Sequence, residues 1–373
     1  MLEFYDINFV LFFVFCLAFA TQLIYIWLVF GRLAFYKAKI DKRIEKPVSV
    51  VITSRDDFYY LQKHLPIILT QDYPEYEVVV VNDHSDDETQ YLLDQLSNQY
   101  AHLKVINMSH SVSFYPGKKF PLSIGIKSAK HEILLLTDAD CMPNSPNWIR
   151  NMQMGFDDKT QITLGYGPYQ SEKGILNTFI RYYSYFTALQ YLSFALVKMP
   201  YMGVGRNLAY RKSLFYKNNG FISHYRIASG DDDLFVNETA NSNNVKICIH
   251  ADSFTYSIPK TTFAQWIKQK RRHLSAGKLY KKKHQLLLSL YPFSLLIFYG
   301  LFSYQMVTGY LFYYVLGILG IRLISFFIIQ KTSMNRLKEK KLFLPSPILE
   351  LFIFTLNSFL VISNTFFTKN KWK

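Results

Sequence analysis

Two aspartates one residue apart close an apolar run in LLLTDADCMP, residues 134–143. Asp138 and Asp140 form a like-charge pair, and such a pair is costly unless a cation sits between the carboxylates and their ligand. Carboxylate oxygens together with diphosphate oxygens are a usual way to hold Mg2+ or Mn2+. The chemistry these two residues point to is therefore metal-assisted handling of a phosphate-bearing molecule. Other acids fall in comparable places, Asp56 and Asp57 after PVSVVIT and Asp83 at the end of EVVVVND. Each acid alone, Asp87 included, has a plainer explanation as a helix N-cap. Asp231, Asp232 and Asp233 follow Gly230 in succession, which also suits the positive end of a helix dipole.

These acids need elements to carry them. Residues 47–53, 77–83, 103–108 and 132–140 read as four strands. Helical spacing at 57–70, 87–99 and 120–129 separates them, with a Gly-Lys-Lys turn before the last helix. Strands alternating with helices predict an α/β fold, a mostly parallel sheet with helices on both faces. Ligands of such sheets sit beyond the carboxyl ends of the strands, and three strands deliver acids to that edge.

Half of the 373 residues are hydrophobic, unevenly placed. Residues 7–30 carry no charge and are long enough to cross a hydrocarbon core of about 30 Å. The acidic front (Glu3, Asp6) disfavours a cleaved signal peptide. Residues 285–330 suit two further spans, near 286–304 and 307–329, with Arg322 as their one formal charge. Residues 344–367 contain Glu350 and two prolines, and read as a full span or a re-entrant segment. The expected division is 1–46, an anchor with its basic flank; 47–284, a cytosolic domain; and 285–373, the C-terminal membrane region.

The net charge of +15 gathers at span ends. Arg32, Lys37, Lys39, Lys42, Arg43 and Lys46 follow the first span, and Lys278, Lys281, Lys282 and Lys283 precede the second. Lys331, Arg336, Lys338, Lys340 and Lys341 follow the third. Positive loops stay cytoplasmic and attract anionic headgroups, so the pattern argues for membrane lipids and against nucleic acid as partner. The tail, Lys369, Lys371 and Lys373, conflicts mildly if the last segment spans. Three scattered cysteines give neither a disulfide framework nor a zinc site. Residues 174–199 read as an interfacial or a core helix, with the interfacial form favoured.

The segments VSVVITSRDD, VVVVNDHSDDET, GKK, LLLTDADC, GVGRNLAYRKSLF, SGDDDLF and QKRRH occur in that order. Together they resemble family 2 glycosyltransferases with a GT-A fold, the group containing cellulose, chitin and hyaluronan synthases. The resemblance covers roughly residues 47 to 280. It implies that Asp83 contacts the uracil of a nucleotide, with Asp56 or Asp57 and Lys119 near that nucleotide. It implies that Asp138 and Asp140 hold the metal, Asp140 more directly. The acid triplet corresponds to the motif holding the catalytic base: Asp232 first, then Asp231, then Asp233. Gln269, Arg272 and His273 resemble the QxxRW motif, with Arg272 gripping the leaving diphosphate, and Arg206 falls on the acceptor side. His273 stands where the family has Trp, which puts processive polymerisation in doubt.

The implied activity is inverting transfer of a sugar from a nucleotide-sugar, a UDP-sugar, to a lipid-linked or cell-surface glycan acceptor at the inner face of the cell membrane. The alternatives are a processive synthase that polymerises and exports, and a non-catalytic membrane subunit.

Overall fold

The computed structural model describes residues 7–37, 45–108, 117–227 and 229–366. Lys39, Lys42, Arg43, Lys369, Lys371 and Lys373 lie outside the described residues. The chain divides into two compact units, Lys37–Tyr280 with the chain from Thr355 onward, and the chain up to Tyr36 with Lys281–Phe354.

The first unit carries strands β1 (Val48–Ser54), β2 (Tyr76–Asp83), β3 (Leu103–Met108), β4 (Ile133–Leu136), β5 (Cys141–Pro143), β6 (Ile162–Leu164), β7 (Leu208–Arg211), β8 (Val245–Ile247) and β9 (Thr255–Ser257). Seven form one sheet in the order β3-β2-β1-β4-β7-β6-β8. β1 pairs parallel with β2 and β4, β2 with β3, and β6 with β8. Only β7 runs antiparallel to its neighbours, β4 and β6. β5 and β9 make a separate antiparallel pair.

Ten longer helices are α1 (Ile7–Ala34), α2 (Phe58–Leu69), α3 (Thr89–Gln99), α4 (Lys119–Ser128), α5 (Ile175–Leu196), α6 (Asp233–Thr239), α7 (Phe263–Ala276), α8 (Lys282–Thr308), α9 (Phe312–Arg336) and α10 (Ser346–Phe366). The four valines Val78–Val81 are fully buried. A strand buried on both faces cannot alternate apolar and polar residues. Val50, Ile52, Val78 and Val80 pack with Leu61 and Leu65 of α2 and Leu93 of α3. On the opposite face α4 approaches so closely that a Cβ on Gly125 would stand 2.8 Å from Val51 Cγ1. Each such buried Val or Ile contributes about 1.5–3 kcal/mol.

The strand expected over 132–140 ends earlier, at Leu136. Asp138 and Asp140 ride on the turn between β4 and β5, because the chain must leave the sheet before it can carry two like charges. The interfacial helix expected at 174–199 is instead a core helix, α5. Tyr182, Tyr185, Leu189, Tyr191 and Leu192 are each at most 1% exposed.

The second unit holds α1, α8, α9 and the start of α10. Among the described residues, Ile7–Ala34, Lys282–Thr308, Phe312–Arg336 and Ser346–Asn364 are long and apolar enough to cross a membrane. Pro345 precedes α10 and Pro347 sits in its first turn, where a missing N–H costs nothing. Arg322 and Glu350 are both fully buried and meet at 2.6 Å. Arg322 also donates to Tyr299 Oη at 3.0 Å and Gln22 Oε1 at 3.3 Å. The Tyr291 hydroxyl donates to Glu350. Gln22 Nε2 completes the set with Ser294 Oγ and the Tyr291 carbonyl.

Candidate active site

Beyond the carboxyl end of β4 and at the start of α6, acids gather around one lysine. Lys118, the residue before α4, places Nζ 2.7 Å from Asp138 Oδ1 and 3.1 Å from Asp231 Oδ2. Burial works against its charge, but Asp138, Asp231 and Asp232 more than offset that and hold its pKa well above the usual lysine value. Lys119, the lysine expected near the nucleotide, points elsewhere. Its buried Nζ donates to the carbonyls of His224 at 2.6 Å and Ile227 at 2.8 Å. Burial brings Lys119 down to about 8. It supports the segment leading into the acid triplet.

The turn bearing Asp138 and Asp140 is held from three sides. His64 of α2 meets the Ala139 carbonyl at 3.2 Å. Thr137 Oγ1 and Thr255 Oγ1 both donate to the Arg206 carbonyl, at 3.0 and 2.8 Å. Burial alone would raise Asp138, yet Lys118, with Arg206 and Arg272, holds it below the ordinary carboxylate range. Asp140 is pushed up, first by burial and then by Asp138. Ligand atoms of Asp138, Asp140 and Cys141 lie within 4.8 Å of one another. Two carboxylates that repel and face a common point fit a divalent cation. The Cys141 Sγ stands 3.0 Å from Ser257 Oγ, and burial holds its thiol protonated, well above the usual value.

The acid triplet opens α6. Gly230 takes φ +100°, and a Cβ there would stand 2.4 Å from Leu234 Cδ1, so glycine is required at the turn. Asp232 accepts from Gly205 N and from Asp233 N, each at 2.7 Å, the second bond capping the helix. The N-cap bond occupies Oδ1, and the bond from Gly205 occupies Oδ2. Burial, then Asp231, raises Asp232 to about 6. Asp233 is tied to Tyr280 Oη at 2.7 Å and Leu234 N at 2.7 Å, and burial raises it to about 8. Asp231 and Asp233 are buried, whereas Asp232 keeps part of its surface open. Gly205 lets these groups meet: a Cβ there would lie 3.3 Å from Lys118 Nζ and 3.4 Å from Asp232 Oδ2.

Asp83 ends β2 half-buried, and burial raises its pKa despite Arg55 and His84. Asp56 adopts φ 55° and accepts from Asp86 N at 2.8 Å, clasping the loop after β2. Asp57 occupies the N-cap position of α2 and accepts from Arg55 N at 3.1 Å. Asp87 bonds Phe58 N and Thr89 N, capping both α2 and α3.

The QKRRH run lies on α7. Gln269 Nε2 donates to Tyr169 Oη at 3.4 Å, and the Arg206 guanidinium lies 4.3 Å over the Tyr169 ring. Arg272 acts electrostatically on Asp138. His273 is exposed, yet the protein packed around its ring, then Lys270, Arg272 and Arg206, push its imidazole well below the usual histidine range. Sequence reasoning passed over Lys118, Gly205, Lys270 and Tyr280. Lys118, Gly205 and Lys270 stand inside the quoted segments GKK, GVGRNLAYRKSLF and QKRRH without a role assigned to them, and Tyr280 left no signal.

The family model for "Glycosyltransferase like family 2" matches residues 46–276. Three curated relatives share shorter stretches. Glycosyltransferase AglE of Haloferax volcanii is 31% identical over 27% of this chain and 33% of its own length. Beta-monoglucosyldiacylglycerol synthase of Nostoc sp. is 28% identical over 30% of this chain and 24% of its own. Poly(ribitol-phosphate) beta-N-acetylglucosaminyltransferase TarS of Staphylococcus aureus is 34% identical over 25% of this chain and 16% of its own. The matched stretches thus span about a third or less of each relative. Among solved structures, the mannosyltransferase PcManGT of Pyrobaculum calidifontis, in complex with GDP-Man and Mn2+, superposes with a TM-score of 0.57. It covers 90% of this chain and all of that one at 15% identity, a likeness of fold alone. With well over half its length matched by one family model, and with a GT-A-like sheet beneath the acids, this chain belongs to glycosyltransferase like family 2.

Proposed function

We propose that the protein is a membrane-bound inverting glycosyltransferase that moves a sugar from a nucleotide-sugar, a UDP-sugar, to a lipid-linked or cell-surface glycan acceptor. The observation that carries this reading is the reach of Lys118, which spans from Asp138 to Asp231. Acids suited to a donor diphosphate and acids suited to proton removal therefore share one site.

Asp232 is the base. Its raised pKa of about 6 leaves it ionised at neutral pH yet close to it in basicity, which suits general-base catalysis. Its neighbours are committed, Asp231 to Lys118 and Asp233 to Tyr280. Asp138 and Asp140 would hold Mg2+ or Mn2+, which neutralises diphosphate charge. Lys118 and Arg272 supply fixed positive charge on the donor side, and Asp83 lies toward the nucleotide base. The relatives' names, a diacylglycerol glucolipid synthase and a poly(ribitol-phosphate) transferase, support a lipid or polymer acceptor.

His273 offers less stacking area than an indole, so transfer of one or a few sugars is favoured over long polymer. Release of nucleoside diphosphate from a panel of sugar nucleotides, measured on the purified protein, tests the activity. No release from any donor would refute it. Basic residues flanking the spans support a cytosolic catalytic unit in the inner membrane. In intact cells, Lys217→Cys and Lys340→Cys should both stay dark to an impermeant thiol reagent. Labelling of Lys217→Cys reverses that orientation.

A further inference from the structure

Among the described residues, one buried lysine of the sheet unit has no anion to meet. Lys270 of α7 is 5% exposed. Among the described residues its ammonium has no carboxylate or hydrogen-bond acceptor and rests 3.9 Å over the Tyr183 ring. A buried charge normally requires a partner, and a cation–π contact supplies only about 0.5–2 kcal/mol. Burial, then the charge of Arg206, brings its pKa down to about 7. An arginine beside it cannot relieve its own charge by losing a proton.

That arginine is Arg206, whose contacts run to the residue after Tyr183 on α5 and, through Tyr169, to the residue before Lys270 on α7. Tyr183 and Ser184 are consecutive on α5, and Ser184 Oγ accepts from Arg206 at 3.2 Å. Arg206 also reaches Ser257 Oγ at 3.3 Å and covers the Tyr169 ring. The Tyr169 hydroxyl accepts from Gln269, the residue before Lys270. Gln269 Oε1 is buried, and among the described residues nothing donates to it. Among the described residues the region thus holds a lysine without an anion, an arginine whose side-chain hydrogen bonds go to hydroxyls, and a buried amide oxygen without a donor.

We propose that Lys270 and Arg206 form a subsite for a phosphate group carried by the acceptor. The subsite rests on the glycosyltransferase reading above. A phosphate takes a point charge from Lys and a planar fork from Arg, and a protonated oxygen or adjacent hydroxyl satisfies Gln269. We assign the phosphate to the acceptor because Arg206 follows Gly205, whose N–H holds Asp232. Arg206 also acts on Asp138 and Asp140, so the UDP arm of the test separates the two sides.

The test is calorimetry on the full-length protein in detergent, with two phosphate probes, inorganic phosphate and a short-chain phosphatidic acid, each titrated with and without UDP and Mn2+. Saturable binding of at least one probe is expected, weakened roughly ten- to a hundredfold in Lys270→Met and largely restored in Lys270→Arg. UDP affinity should stay unchanged in both variants. Tighter phosphatidic acid binding assigns the phosphate to a lipid acceptor, and comparable affinities assign it to a water-soluble one. Unchanged probe binding in Lys270→Met overturns the subsite, as does an absence of binding in the wild type. An equal fall in UDP affinity moves Lys270 to the donor side and overturns it too. Failure of wild-type protein to bind UDP would instead refute the UDP-sugar donor of the reading above, while the probe titrations alone still decide the subsite.

Discussion

Both units bury charge, and they do so to opposite ends. In the membrane-helix unit Arg322 meets Glu350, Tyr299 and Gln22, while Tyr291 closes on Glu350. Opposite charges are matched there, and the set works as architecture. At the sheet edge the matching stops short. Asp140 is raised by burial and by Asp138, Asp232 and Asp233 are raised by burial, and Lys270 rests over the Tyr183 ring. A saturated buried cluster holds helices together, whereas perturbed charges gathered at a sheet edge are the mark of a functional site.

The sharpest way to break this contrast is at Asp232. Asp232→Asn keeps the shape and the backbone contacts to Gly205 and Asp233 in reach, and removes basicity. Turnover should fall by about 10²–10⁴-fold with UDP binding retained. Full activity in the Asn variants of Asp231, Asp232 and Asp233 alike would place the base elsewhere. In the membrane-helix unit, Arg322→Met alone strands Glu350 and should cost about 3–5 kcal/mol of stability. Arg322→Met with Glu350→Met should recover most of that loss in an unfolding titration. A double variant no better than the single one would mean the pair is more than architecture.

Asp140→Asn removes one charge from the cation site, so metal and UDP binding should weaken together, by about tenfold or more. Calorimetry with unchanged metal-dependent UDP affinity would break the assignment. The smallest effect is one of pH. As the proposed base, Asp232 must be ionised to work, and burial raises it to about 6. Hence kcat/KM should be flat at neutral pH and fall as pH drops through about 6, and this limb should vanish in Asp232→Asn.

Much of the architecture was legible in local pattern. The strands expected at 47–53, 77–83 and 103–108 correspond to β1, β2 and β3 within a residue at each end. The spans expected near 286–304 and 307–329 correspond to α8 and α9, since unbroken apolar runs need no partner to be recognised. The strands β6 to β9 were not legible. They have three or four residues each, too few to show a period, and their hydrogen bonds come from strands far along the chain.

What the sequence determined by itself is therefore whatever a contiguous stretch of side chains encodes. That includes the parallel sheet, the acids at its carboxyl edge and the apolar helices. Tertiary structure alone decided which neighbour faces which way. Successive helical residues point about 100° apart, so of two adjacent lysines at the start of α4, Lys118 turns to the acids and Lys119 to the carbonyls of His224 and Ile227. The same holds for the acid triplet, where one residue's step separates the committed Asp233 from the open Asp232. It holds for Arg322 and Glu350, and for Lys270 over Tyr183. Such groups are far apart in the chain, and only the packed fold sets which of them meet.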